Sequence, residues 1–74
     1  MFGRVFDAID IGRMLRARRK ELGYTQVDIA EFMGLSPRLI GEIERGRGTV
    51  GIHKVLDYAT GLGIDITLSV RGRQ

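Results

Sequence analysis

A pair of short amphipathic segments joined by a single glycine, Gly34, occupies residues 25–46 and constrains the fold more than any other feature. In the first segment, apolar residues recur at helical spacing after Thr25, whose hydroxyl can accept a hydrogen bond from an amide of the first turn. Gly34 can adopt the left-handed conformation that ends a helix. The sequence therefore predicts a helix that begins near Gln26, ends at Gly34 and carries one apolar stripe. That stripe consists of Ile29, Ala30 and Met33.

The second segment restarts the chain at Ser36 and Pro37, which suit the N-cap and the first helical position because proline lacks the amide that would be unpaired there. We expect this helix to run to about Arg45 and to stop at Gly46. Its inner face is apolar and its outer face polar: Ile40 and Ile43 lie inside, and Arg38, Gly41, Glu42 and Arg45 lie outside. Two such helices form a helix-turn-helix, whose second helix has the size and polar reach that a DNA major groove requires.

The chain has 74 residues, a length typical of one domain near the lower limit for an unaided core. It has no cysteine, which excludes a disulfide framework and a thiolate metal site and favours a cytoplasmic location. No apolar run approaches the roughly 20 residues that cross a bilayer, so we expect no membrane association.

The net charge is only +3, but cations crowd residues 13–20, and such a cluster favours a polyanion because binding releases condensed counterions. Small size without a covalent staple favours oligomerisation.

Further segments complete the helical part. Residues 1–9 carry more apolar side chains than a free tail usually has, and we interpret them as an arm that packs on the domain. The first helix starts after Asp10 as N-cap, or one turn earlier after Asp7, and ends at Gly23. A fourth helix is predicted over residues 52–62. The predicted core residues are Ile11, Leu15 and Leu22 of the first helix and Ile52, Val55, Leu56, Ala59 and Leu62 of the fourth.

Residues 64–70 alternate apolar and polar side chains without interruption. They lie between the helical domain at 10–63 and a basic tail at 71–74. This period of two predicts one β-strand with a single apolar face. That face comprises Ile64, Ile66, Leu68 and Val70. A solitary strand leaves its backbone groups unpaired, so we expect it to pair with the same strand of a second copy in a homodimer. The alternative is pairing with residues 4–6 of the arm. The predicted fold class is mostly α, with four helices and one C-terminal β-strand that pairs between subunits.

The stretch from Arg19 to Gly46 has the pattern RxxxGYTQVDIAExMGLSPxxIxExERG. On this pattern, and on the helical continuation to Leu62, the chain resembles the Cro/repressor-type DNA-binding domains of the XRE helix-turn-helix family. The resemblance covers about 52 of the 74 residues, from Ile11 onward. It implies a sequence-specific transcriptional repressor that binds double-stranded DNA at a palindromic operator as a homodimer.

Within that family, the stretch SPRLIGEIERGRGTV with a short strand just after the fourth helix resembles the HipB-like antitoxins. This narrower resemblance implies the antitoxin of a HipBA-like toxin–antitoxin operon, which would also bind a HipA-like kinase toxin encoded beside it. Two alternatives stay open. One is a stand-alone phage-type repressor, and the other is a protein-interaction adaptor that retains the helix-turn-helix fold.

The family resemblance also implies roles for individual residues. Base contacts fall on Ser36, Pro37, Arg38 and Glu42, phosphate contacts on Gln26, Arg45, Arg47 and Thr49, and a structural ion pair on Arg19 and Glu44. Arg38 is the principal candidate, because its planar guanidinium can meet O6 and N7 of guanine together. For Glu42, direct base reading and pairing with Arg38 or Arg45 both stay open. Gly41 departs from the polar residue usual at its position, which favours recognition of DNA shape.

Two other positions also depart from the family pattern. Arg18 stands where relatives often have an apolar residue, so its methylenes cover the edge of the core or its charge meets Asp28 or Glu31. Leu39 replaces a small polar residue, and it either packs on the turn before its helix or touches a thymine methyl group.

The residue types do not favour an enzyme. His53 is the only histidine, and its place at the start of the fourth helix suits a solvated side chain. Glu42 and Glu44 are two residues apart on a helix and point in different directions, so they form neither an acid/base pair nor a metal site. We therefore predict no catalytic residue, no metal and no cofactor.

Overall fold

A computed structural model describes residues 3–72 and contains four α-helices within them. They are α1 (Ala8–Glu21), α2 (Gln26–Met33), α3 (Pro37–Glu44) and α4 (Ile52–Gly61). The predicted four-helix arrangement is therefore confirmed. Within residues 3–72, no helix combines the length and the apolar character needed to span a membrane. Residues 1–2 of the predicted arm and 73–74 of the predicted basic tail lie outside the described residues.

The caps of α2 and α3 are those predicted from the sequence. The Asp28 amide donates to the Thr25 hydroxyl over 3.0 Å, and the Leu39 amide donates to the Ser36 hydroxyl over 3.1 Å. Gly34 ends α2 with φ of 71°, a conformation that costs glycine little because it has no Cβ. Local chemistry therefore fixes the turn between the two helices.

The start of α1 corrects the preferred prediction. Asp7 is the N-cap, because its carboxylate accepts from the Asp10 amide over 2.9 Å. Asp10 lies one turn inside the helix, where its own carboxylate accepts from the Phe6 amide over 2.9 Å. The predicted boundary at residue 10 is wrong by about a turn, and the alternative start after Asp7 is confirmed.

The core lies where the four helices meet. Its buried apolar side chains are Leu15, Ile29, Ala30, Ile40, Ile43, Tyr58, Ala59 and Leu62. Each large apolar side chain fully buried in such a core contributes about 1.5 to 3 kcal/mol. Three residues predicted for the core, Leu22, Ile52 and Leu56, are instead exposed. In α4 the observed inner face is turned about the helix axis from the predicted one, so that it carries Tyr58 rather than Ile52 and Leu56.

A close approach between α1 and α3 fixes how α3 is held. Gly12 of α1 lies so near the end of α3 that an added Cβ would be 2.5 Å from the Glu44 carbonyl oxygen and 2.6 Å from that of Ile43. Both oxygens belong to the backbone, which cannot rotate away. The contact therefore requires glycine at position 12.

The predicted strand at residues 64–70 is wrong for the single chain, because residues 3–72 contain no strand. Ile64 packs against the core and its amide donates to the Ala59 carbonyl over 2.9 Å. Beyond it, Leu68 and Val70 are 96% and 72% exposed. The physical reason is that a strand needs a neighbour for its backbone groups, and the described residues supply none. Pairing with residues 4–6 is also absent.

Candidate nucleic-acid interface

Of the predicted base-contacting residues, Pro37 and Arg38 lie outward in the first turn of α3. The Arg38 side chain is 87% exposed, and its Nε lies 3.7 Å from Oε2 of Glu42 one turn on. Of the two roles left open for Glu42, the structure therefore shows the pairing with Arg38. Pro37 is exposed at the first helical position, whereas the Ser36 hydroxyl is engaged in the cap. An exposed guanidinium beside one carboxylate keeps most of its donors for a ligand.

The inner edge of α3 ends in a buried carboxylate, Glu44, that accepts hydrogen bonds from the three other helices. Arg19 of α1 donates through Nε to Oε2 over 2.7 Å and through Nη2 to Oε1 over 3.0 Å. Gln26 of α2 donates through Nε2 to Oε1 over 3.1 Å. Tyr58 of α4 donates through its hydroxyl to Oε2 over 2.5 Å. Arg19 also donates to the Tyr24 carbonyl over 2.7 Å.

This cluster has definite charge states. Burial alone would raise the pKa of Glu44, but hydrogen bonds from Arg19, Tyr58 and Gln26 outweigh it and hold that pKa below its ordinary value. The hydrogen bond to Glu44 raises the pKa of Arg19. Burial, together with the same carboxylate, raises the pKa of Tyr58 well above its ordinary value. Near neutral pH, Glu44 is therefore a charged acceptor and Tyr58 a neutral donor.

Gln26 stands at the first position of α2, where its side chain joins the buried cluster to the surface. Because an ionised carboxylate only accepts hydrogen bonds, the atom of Gln26 that faces Glu44 is the amide nitrogen. One N–H of that amide remains unused, and the backbone amides of Gln26 and Val27 donate to no backbone acceptor within the described part of the chain. Unpaired amides at a helix start favour an anion.

Arg45 lies over the outer surface of α3. Its Nη1 is 3.1 Å and its Cζ 3.8 Å from the position that a Cβ would take at Gly41, and Oε1 of Gln26 is 3.7 Å from the same point. These two side chains cover Gly41, which is buried. Gly41 is therefore on the predicted outer side of the helix but is not exposed there.

Arg47 and Thr49 are exposed in the loop between α3 and α4. The Arg47 amide donates to the Glu42 carbonyl over 3.0 Å, so the loop continues directly from the end of α3. The structure thus brings both predicted phosphate-contacting residues of the loop to the same end of α3.

Two side chains differ from what the sequence indicated. Arg18 donates through Nε to the Leu62 carbonyl over 2.9 Å and pairs with Glu21 over 2.7 Å, not with Asp28 or Glu31. Tyr58 was not predicted to belong to the site. Its spacing from Val55 and Leu62, three and four residues away, places it on the inner face of α4 and could have identified it.

Comparisons with known proteins agree with this geometry. A family model described as helix-turn-helix, HTH_3, matches residues 15–68. The uncharacterised HTH-type transcriptional regulator YazB of Bacillus subtilis is 43% identical over 53 residues, which are 72% of this chain and 77% of YazB. The uncharacterised HTH-type transcriptional regulator y4mF of Sinorhizobium fredii is 34% identical over 74 residues, which are 100% of this chain and 97% of y4mF.

Solved structures share the arrangement of helices. A structure described as a HipB-O4 20mer complex has a TM-score of 0.84 at 17% identity, covering 95% of this chain and 99% of that chain. One described as a HipA-HipB-O2-O3 complex has a TM-score of 0.83 at 17% identity, with the same coverage of 95% and 99%. At this identity the likeness shows a common fold. The restriction-modification controller protein C.AhdI from Aeromonas hydrophila has a TM-score of 0.67 at 34% identity, covering 80% of this chain and 86% of C.AhdI.

Proposed function

Since the chain belongs to the XRE-type helix-turn-helix family of DNA-binding transcriptional regulators, we propose that it represses transcription as a homodimer on a palindromic operator. In this proposal Arg38 carries base recognition, aided by its neighbours on α3, and Gln26, Arg47 and Thr49 hold the phosphate backbone. We place it in the cytoplasm, together with the DNA that it binds. It binds DNA rather than catalysing a reaction.

The observation that carries this proposal is the way α3 is held. Its inner edge is joined through Glu44 to a side chain from each of the other helices. Its outer edge presents Arg38 with 87% of the side chain exposed. A helix fixed on one side and charged on the other has the rigidity that reading base edges requires, because the helix itself then needs no ordering on binding.

The dimer rests on the exposed apolar residues of 64–70. Leu68 and Val70 would be costly to leave in water together, and pairing of this segment with its copy would supply the missing neighbour for its backbone groups. A two-fold dimer of this kind places two recognition helices in successive major grooves, about 34 Å apart. A palindromic operator would match that symmetry.

A more specific version makes the protein an antitoxin. It is supported by the shared fold with HipB, which appears in a structure described as a HipA-HipB-O2-O3 complex. We infer a HipA-like kinase toxin as the partner. Co-expression with the product of the adjacent gene, followed by size-exclusion chromatography, tests this: one joint peak is expected, and two separate peaks would contradict it. The alternative is a stand-alone phage-type repressor; C.AhdI, 34% identical, is described as a restriction-modification controller protein and not as an antitoxin.

Operator binding is tested by band shifts with duplexes selected from a randomised library. Arg38→Ala should lower affinity for the selected duplex by roughly 5- to 150-fold. Arg47→Ala should weaken binding to all duplexes uniformly and reduce the salt slope by about 1. Arg4→Ala, which removes an exposed arginine ahead of α1, is the charge-matched control. A wild-type protein that shows little binding to any duplex, even at low salt, would instead favour the protein-interaction adaptor.

A further inference from the structure

Gly41 occupies the middle of the outer stripe of α3. Arg38 stands three residues before it and Arg45 four residues after it, and residues at this spacing share one helix face. The guanidinium of Arg45 lies over Gly41, with Nη1 3.1 Å from the position of a Cβ. The charged group of Arg45 therefore fills the space that a side chain at position 41 would occupy.

Helix geometry accounts for this placement. Arg45 caps α3 with φ of −84° and ψ of −3°, so its backbone still follows the helical direction. Side chains on a helix lean toward its N-terminus and cover the preceding turn. Glycine at position 41 leaves that turn open. The guanidinium consequently lies one turn deeper into the recognition surface than the Cα of Arg45.

No group within residues 3–72 accepts a side-chain hydrogen bond from this guanidinium. None of the ion pairs and none of the side-chain hydrogen bonds formed within residues 3–72 involves the Arg45 side chain. Arg18 and Arg19, by contrast, donate hydrogen bonds to other groups of the protein. An arginine presents five donors in a planar fork that matches O6 and N7 of guanine.

We propose that Arg45 is a specificity-determining residue that reads a guanine in the major groove, rather than a clamp on a phosphate. This role rests on the proposed operator binding. The guanidinium lies over position 41, close to one helical turn from Arg38, which is about 5.4 Å along the helix. For a helix that lies along the groove, that distance corresponds to one or two base pairs of about 3.4 Å each. Arg38 and Arg45 therefore read neighbouring base pairs.

Two substitutions separate base reading from phosphate binding. Arg45→Lys keeps the charge that a phosphate needs but removes the fork that a guanine needs. Gly41→Met places an unbranched apolar side chain where the guanidinium lies. The atoms nearest the new Cβ belong to the flexible end of Arg45 and, at 3.7 Å, to Oε1 of Gln26, so the Cβ meets side-chain ends that can move rather than backbone. Arg47→Lys, in the exposed loop, is the matched control, and circular dichroism checks that each variant is folded.

The experiment compares the base preferences of these variants on a randomised duplex library. Arg45→Lys and Gly41→Met should each lose roughly 5- to 150-fold discrimination at the same base pair, and both should keep the preference that depends on Arg38. Arg47→Lys should keep every preference. If Arg45→Lys retains the relative weight of every base pair and only overall affinity changes, Arg45 is a phosphate clamp and the inference is wrong. If the wild-type protein enriches no sequence motif from the library, the proposed operator recognition is wrong. The role proposed for Arg45 is then wrong as well.

Discussion

The hydroxyl of Tyr58 in α4 lies 2.5 Å from Oε2 of Glu44, the last residue of the recognition helix. Neither residue faces the proposed DNA surface, since Tyr58 is 0% exposed and Glu44 is 6% exposed. Through this bond α4 contributes to the position of α3. Glu44 in turn accepts from Gln26, at the start of α2, so a buried carboxylate links α4 to a predicted phosphate contact.

Tyr58→Phe removes that bond and little volume. We expect the free energy of unfolding to fall by about 1.5 to 3 kcal/mol, the usual contribution of a hydrogen bond to a charged group. Urea denaturation followed by circular dichroism measures it, and the slope of the transition should not change because the exposed area is the same. Tyr24→Phe, which alters a tyrosine that is 38% exposed, is the control and should change little. Equal midpoints for Tyr58→Phe and wild type would show that the bond contributes nothing.

Acid should destabilise the protein through Glu44. Its pKa is lowered in the folded state from an ordinary value of 4.5, so the folded state releases its proton more readily than the unfolded chain does. The stability contributed by the charged carboxylate is therefore complete above about pH 4.5 and is lost as pH falls toward the lower folded pKa. Glu44→Gln cannot titrate. Between pH 5.5 and 3 its free energy of unfolding should change less steeply than that of the wild type, and parallel profiles would contradict this assignment.

Gly12→Ala tests the contact between α1 and α3. The added methyl would lie 2.5 Å from the Glu44 carbonyl oxygen, so one helix must shift. We expect a loss of about 1 to 3 kcal/mol in unfolding free energy, although alanine is the better helix former. Gly48→Ala is the matched control, because no atom lies within 4 Å of its added Cβ. It should remain within about 0.5 kcal/mol of wild type in the same thermal or chemical melts. A stabilised Gly12→Ala variant would show that the helices can separate freely.

Local chemistry made the helix-turn-helix predictable. The hydroxyls of Thr25 and Ser36 and the left-handed Gly34 act within a few residues of themselves, so their roles can be read without knowing the fold. The start of α1 could not be read in this way, since Asp7 and Asp10 can both cap a helix. Tertiary contact decides between them: Ile9, in the first turn, packs on Gly46 at the end of α3.

The candidate site likewise contains residues that the local sequence identifies and residues that it does not. Arg19 and Glu44 could be paired only through the family pattern, since they are 25 residues apart. Tyr58 was not predicted because tyrosine carries a polar hydroxyl and also suits a surface position, although its helical spacing places it inside. The position of Arg45 depends on the absence of a side chain at Gly41, one turn earlier. Residues 64–70 form no strand in the described part of the chain, where no neighbour pairs with their backbone groups.

Leu68→Asp tests the dimer without disturbing the helices. Leu68 is 96% exposed, so the substitution removes no contact from the folded monomer, and its thermal midpoint at low concentration should not change. In the dimer the same residue would lie on the apolar face of the paired strands, where two carboxylates would be buried and would repel one another. Sedimentation velocity should therefore show dimers for the wild type and monomers for Leu68→Asp. Ser69→Asp adds the same charge on the opposite face of the predicted strand and should leave the dimer intact. If both variants dimerise like the wild type, residues 64–70 are not the interface.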